Sequence, residues 1–385
     1  MKKITALLLA FVFLFGALGM LTGCSDPDTD NKPKNEVPLY YFETNEDGAT
    51  CSIKGINRYQ LEDAEIVLPS QSPEGLPVTG ILESAFECDE LLTGITIPEG
   101  VTTIGDRAFY ECTALKTVNL PDSLTVIGNS AFYSCAALET INMPAGLTKI
   151  GASSFKGCSS IQSVSFPEGF EELGDAAFEA CTSLKSVSFP KSAAYISNAA
   201  LWYCSALETI TVAEGNPVYH SSGNCLINTE EKTLYKATNN SVIPDDGSVT
   251  VILSGAFACL STMTEITIPE GIVEICSGAF DVCTALKTVV IPSTAEKISG
   301  FFGCTALTSI MIPDGVKEIG SMAFGECTAL TSVVISGKVE KIGSDPFYGC
   351  TELNRVNFLG NKSLWYGIYE DDEWDFTVDC LDGMI

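Results

Sequence analysis

Phenylalanine returns at a fixed step of 23 residues, at Phe86, Phe109, Phe132, Phe155 and Phe178. Leu201 takes the next slot. After an interruption the series resumes at Phe257 and Phe280, steps 21 residues to Phe301, and returns to 23 at Phe324 and Phe347. Self-similarity at such a period is the signature of a solenoid and outranks any local helix or strand reading. Length agrees, because 385 residues exceed the roughly 250–300 that one ordinary core sustains.

Each of the eleven copies has the same grammar, as in Val101–Pro121, "VTTIGDRAFYECTALKTVNLP". Leu115, Val118 and Leu120 end in strict alternation, the period of a strand with one buried face. Pro121 closes that strand, since proline donates no ladder hydrogen bond. Val101 and Ile104 form a second short inward segment, Gly105 permits a turn, and Ala108, Phe109 and Cys112 are spaced for a helical turn with its apolar side inward. One copy cannot bury this surface alone. Stacked copies place Phe109 over Phe132 and under Phe86, and each fully buried ring contributes about 2–3 kcal/mol. The expected fold is therefore a right-handed repeat solenoid, with short parallel strands on one face, turns and short helical turns on the other, and a cap at each end.

The N-terminus reads as a targeting segment and is excluded from fold reasoning. Lys2 and Lys3 precede an apolar run from Ile4 to Leu21. The run ends in Leu21-Thr22-Gly23-Cys24, which resembles a bacterial lipobox, a signal cut before the cysteine whose sulfur then carries lipid. An uncleaved membrane helix is the alternative, since about 20 apolar residues span a bilayer. The acidic, proline-containing stretch that follows, "SDPDTDNKPKNE", favours a tether over a stop-transfer segment. Removing residues 1–23 takes away two lysines and no acid, so the net charge goes from −28 to −30. With 49 acidic residues against 21 basic ones, the chain is unsuited to nucleic acid, whose phosphates require Lys and Arg, or to Coulombic attraction to anionic membranes.

The pattern A-F-x-x-C-x-x-L-x-x-V-x-L-P-x-x-x-x-x-I-G resembles the BspA-like leucine-rich repeats of bacterial surface proteins, from about Val78 to Phe358. "DAEIVLPSQSPEGLPVTGILESAF" looks like the family's opening half-repeat. "NFLGNKSLWYGI" followed by "WDFTVDCLDGMI" looks like its closing cap, with Trp365 over the last core layer. "EGNPVYHSSGNCLINTEEKTLYKATNNSVIP" resembles a recurrent insertion, and its runs Cys225–Ile227 and Thr233–Tyr235 flank "NTEEK" as a hairpin would. The resulting organisation is a signal peptide 1–23, a tether 24–37, an N-terminal cap and half-repeat 38–80, repeats 81–212, the insertion 213–250, repeats 251–358 and a C-terminal cap 359–385. Asp89 and Leu260 replace cysteine in its slot, Leu201 replaces phenylalanine, and two residues are missing between Ile291 and Phe301, so irregular turns are expected there.

Nine of the 16 cysteines share one slot: Cys112, Cys135, Cys158, Cys181, Cys204, Cys283, Cys304, Cys327 and Cys350. Small buried thiols suit the position. Disulfides across coils and a metal strip are the alternatives, although the 23-residue spacing is unlike the close pairs of zinc sites. His220 is the one histidine. Ser221 and Ser222 beside it do not make a triad, which needs a base and an orienting acid assembled in space. Glu370, Asp371, Asp372 and Glu373 read as a solvated loop or a calcium site. No cofactor and no catalytic residue is expected.

Alternation places Thr117 and Asn119 on the outer strand face, with Thr140 and Asn142, Ser163 and Ser165, Ser186 and Ser188, and Thr209 and Thr211 in register behind them. Later copies supply Glu265 and Thr267, Thr288 and Val290, Ser309 and Met311, Ser332 and Val334, and Arg355 and Asn357. This nearly uncharged field of hydroxyls is either a solvated sheet, since threonine suits strands, or an extended protein-binding surface. Aromatic residues are absent from it and instead follow the ladder phenylalanine, at Tyr110, Tyr133, Trp202, Phe302 and Tyr348, where partial burial against the next copy is expected. The expected protein is a monomer that reaches the membrane through lipid on Cys24, and the family resemblance adds adhesion to host matrix proteins or other cells, with extracellular or cell-surface proteins as partners. A polysaccharide-binding module for nutrient capture is the alternative.

Overall fold

The computed structural model describes residues 38–57, 64–369 and 376–385. The export segment, Cys24 and the acidic cluster at Glu370–Glu373 lie outside them. Residues Leu39–Ile385 form one compact unit.

Two parallel ladders run through this unit. Strands such as Thr117–Asn119, Ser163–Ser165, Ser186–Phe189 and Thr209–Val212 form the long-strand ladder. Two-residue strands such as Thr103–Ile104, Val126–Ile127 and Lys149–Ile150 form the short-strand ladder. Equivalent residues of consecutive copies pair, as Val118 with Ile141 and Ile104 with Ile127. The short-strand ladder comprises two eight-stranded sheets, and the long-strand ladder comprises several smaller ones. Coils without a ladder phenylalanine extend the eleven-slot register, including one begun by the antiparallel pair Tyr40–Thr44 and Cys51–Ile56.

The Ile-Gly of the motif has a steric cause. A Cβ on Gly105 would lie 2.7 Å from the Glu83 backbone nitrogen, so the coils pass too closely there for any side chain. The expected helical turn at Ala108–Cys112 is instead a run of tight turns. Tyr110 N–H donates to Arg107 C=O and Cys112 N–H to Phe109 C=O, while Arg107 and Glu111 both take φ of 56°. This left-handed alternation turns the remaining amides outward along the stack, so Phe109 N–H reaches Ala131 C=O and Glu111 N–H reaches Tyr133 C=O, each at 2.7 Å. A helix would have used those donors internally.

The ladder rings are buried and stacked. Centroids of Phe86, Phe109, Phe132, Phe155 and Phe178 lie 4.9–5.1 Å apart at interplanar angles of 5–10°, inside the offset-stacked range of aromatic pairs. The stack resumes from Phe257 to Phe347 at 4.5–5.8 Å. Between the two runs lies a hairpin, with Tyr219–Ser222, Cys225–Asn228 and Thr233–Lys236 pairing antiparallel in order. Thr233–Lys236 then pairs parallel with Val251–Ile252 and restarts the ladder. The buried core divides at the same place, one cluster running to Leu226 and the other including Cys225 and Ile227 onward. Trp365 in the helix Lys362–Ile368 packs edge-on against Phe358 and closes the second cluster.

Candidate binding face

The long-strand ladder carries the broadest run of side chains with no part in the core. Thr117, Asn119, Thr140, Asn142, Ser163, Ser165, Thr209 and Thr211 are exposed, and Ser186 and Ser188 are half-buried. The intervening Val118, Ile141, Val164, Val187 and Ile210 are buried. Pleating therefore separates the two sets as alternation requires. Some hydroxyls and amides pair along the stack: Asn119 Nδ2 donates to Thr96 Oγ1 at 3.0 Å and Ser188 Oγ to Ser165 Oγ at 2.8 Å.

The short-strand face differs in character. Its outward residues Glu274, Lys297, Glu318 and Lys341 are cross-strand neighbours in register. Lys297 meets Glu274 at 3.4 Å and Lys341 meets Glu318 at 3.0 Å. Lys149 and Glu172 repeat the arrangement at 2.9 Å. These charges have partners within the sheet. Other acids bridge coils: Glu270 accepts from Ser293 N–H at 3.0 Å and Thr294 N–H at 3.1 Å. The Ser293 and Thr294 hydrogen bonds hold its carboxyl below the ordinary carboxylate value.

Four of the five aromatic residues after the ladder phenylalanine fold onto their neighbours, whereas Tyr348, near the end of the array, is exposed. Tyr110 and Tyr133 stack at 4.8 Å, and the Arg107 guanidinium sits 3.9 Å over the Tyr110 ring. The Trp202 indole covers Gly255, and a Cβ on Gly325 would come within 2.8 Å of the Phe302 ring. His220 is half-buried, and its Nδ1 lies 2.9 Å from Thr229 Oγ1. The Ser221 hydroxyl accepts the Val212 N–H. The first contact braces the insertion internally, and the second holds it to the repeat strand Thr209–Val212. Among the described residues, no group of three or more His, Cys, Asp or Glu is placed to hold a metal ion, and no helix is long and apolar enough to cross a membrane.

The sequence reading assigned the second half to this face but missed the exposed apolar surface it carries. In the slot of Asn119 and Ser165, three consecutive copies carry Val290, Met311 and Val334. Val290 is 49% and Met311 66% exposed, with Val334 half-buried. Their identities were visible in the sequence, and the exposed area was not.

A family model described as a BspA type leucine rich repeat region matches residues 79–208 and 226–369, in six copies. Among solved structures, the chain is similar to a leucine rich cell surface protein of Faecalibacterium prausnitzii, at 28% identity and a TM-score of 0.67, covering 88% of this chain and 100% of that one. It is also similar to a leucine-rich repeat protein of Bacteroides ovatus (23% identity, TM-score 0.54, covering 90% and 99%). The pneumococcal vaccine antigen PcpA shares the fold at 18% identity and a TM-score of 0.60, covering 89% and 91%. No curated protein sequence matches the chain. The matched family is one of repeat proteins, and no catalytic family is indicated.

Proposed function

The chain belongs to the BspA-type leucine-rich repeat family, and from that premise we propose that it is a non-catalytic cell-surface protein that binds other proteins through its long-strand face, anchored by lipid on Cys24. The reading rests most on the contrast between the two faces. On the short-strand face, charges are matched within the sheet. On the long-strand face, rows of exposed, almost uncharged side chains continue from copy to copy. A flat surface of that kind offers many weak, repeated contacts and no enclosed, water-excluded centre of the sort catalysis uses. The cell-surface description of the F. prausnitzii protein supports the location, and the partners that fit are host matrix proteins or proteins on other cells.

Bacteria producing the full chain test this directly. Labelled palmitate is expected to enter the protein, Cys24→Ala is expected to abolish labelling, and producing cells are expected to adhere saturably to immobilised matrix proteins or partner cells. Label retained in Cys24→Ala refutes the anchor. Absence of saturable adhesion across a matrix and whole-cell panel refutes adhesion.

A further inference from the structure

The apolar residues of the long-strand face are gathered in its C-terminal half. Met311 and Val334 are direct register partners, and the strand Thr288–Val290 lies beside Ser309–Ile312. Val334 pairs in turn with Asn357, two residues before Leu359, which is 47% exposed. Val290, Met311 and Val334 thus form a short ridge across three consecutive copies, with Leu359 further along the next strand, opposite Ser336. Thr288, Ser309 and Ser332 flank it, exposed and uncharged. Paired strands sit about 4.8 Å apart, so Met311 and Val334 are adjacent, and Val290 lies on the strand beside Met311. Their inward neighbours Val289, Ile310 and Val333 already fill the core, which leaves the ridge without a structural task.

On the reading that this face binds protein, we propose that the ridge is its contact centre, and that it takes a net-basic protein segment bearing aliphatic or aromatic side chains. Fully desolvated interface centres are apolar, poor in charge and enriched in methionine, with a polar rim around them. Ridge and hydroxyl flanks have that layout. A contiguous exposed apolar patch marks an interaction site more often than an accident of surface composition. The sign of the partner follows from charge. The chain carries −28, so its field repels acidic proteins and a second copy of itself, and draws in basic ones at a salt-dependent rate.

A phage-displayed library of 12-residue peptides, panned on the purified full-length protein, tests this without a known ligand. Recovered peptides are expected to combine two or more Lys or Arg with Leu, Phe or Trp. Their affinity is expected to fall at least tenfold for the combined variant Val290→Ser, Met311→Ser, Val334→Ser, and to be unchanged for Thr117→Ala, Asn119→Ala, Thr140→Ala. All of these residues except the half-buried Val334 are exposed, and matched melting temperatures confirm folding. Loss confined to the Thr117 set overturns the ridge but leaves the binding face intact. Peptides indifferent to both variants overturn ridge and face together. Acidic or uncharged peptides, no enrichment, or self-association abolished by the Val290 set overturn the stated partner chemistry.

Discussion

The Cys158 thiol donates to the carbonyl of Phe132 at 3.1 Å, one coil back, and the same carbonyl accepts the Cys135 N–H. Eight equivalent bonds run along the stack, from Cys112–Phe86 to Cys350–Phe324. Cysteine therefore brings a donor as well as volume, and valine in its place would supply only volume. Burial pushes Cys158 and Cys181 well up and Cys204, Cys283 and Cys350 up to about 12. Because the thiolate is the nucleophile, iodoacetamide at pH 8 is expected to label the partly exposed Cys276 and Cys380 first, with Cys158 and Cys181 reacting only in denaturant. Early labelling of the latter pair in peptide mass spectra would contradict the ladder. Lys236 is the odd member of this layer. It is 1% exposed and donates to Gly255 C=O at 3.2 Å, a carbonyl that also accepts the Ala258 N–H. Burial holds its pKa below the ordinary lysine value. Between the folded and unfolded values the unfolded chain binds more protons, so this residue's contribution to stability rises with pH. Lys236→Met is expected to raise the melting temperature by about 2 °C at pH 7, from about 1 kcal/mol, with the gain shrinking toward pH 10. A gain independent of pH would assign the effect to packing alone.

At the level of the turn, the position two residues after the ladder phenylalanine is left-handed whatever occupies it. Glu111, Ser134, Ala180, Tyr203 and Val282 have φ of 55–60°, in the same slot as Gly157, Gly303 and Gly349 at 70–77°. L-residues are disfavoured there by about 1–2 kcal/mol relative to glycine. Ala180→Gly is therefore expected to raise the urea midpoint and Gly157→Ala to lower it, each by about 1 kcal/mol at unchanged slope. Shifts in the same direction for both would refute a conformational cause. This slot also shows where sequence reasoning stops. Mixed occupancy hides the glycine signal, and the three- and four-residue spacing of Ala108, Phe109 and Cys112 fits a chain of tight turns as well as a helical turn. The long strands were legible because Val118 and Leu120 alternate with Thr117 and Asn119 and end at Pro121, and the hairpin because two apolar runs flank "NTEEK". For the binding face, alternation assigned each residue a side. Its apolar half went unrecognised because contiguity of Val290 and Met311 depends on how the shortened coil between Ile291 and Phe301 stacks.

Across the array, each coil touches its neighbours and little else, so stability approximates a sum of coil terms and nearest-neighbour terms. Those neighbour terms are uneven. Rings stack from Phe86 to Phe178 and from Phe257 to Phe347, with Leu201 and the insertion between them. The core separates into two clusters at the same point, and Lys236 is buried beside it. Coupling is therefore weakest at the insertion, and the two halves should open as separate cooperative units. Phe132 is stacked on both sides and fully buried, so Phe132→Ala removes about 3–5 kcal/mol from the first unit. In native-state hydrogen exchange, this variant is expected to lower protection at Thr117–Asn119 and Ser163–Ser165 while leaving Ser309–Ile312 and Ser332–Ser336 unchanged. Trp365→Ala, which uncovers the other end, is expected to do the reverse. An equal fall in both halves for either variant would mean that the hairpin transmits stability as well as an ordinary coil does. The split has a use for a binding protein of this design: an opening in the first half would leave the ridge from Val290 to Val334 folded and able to hold its partner.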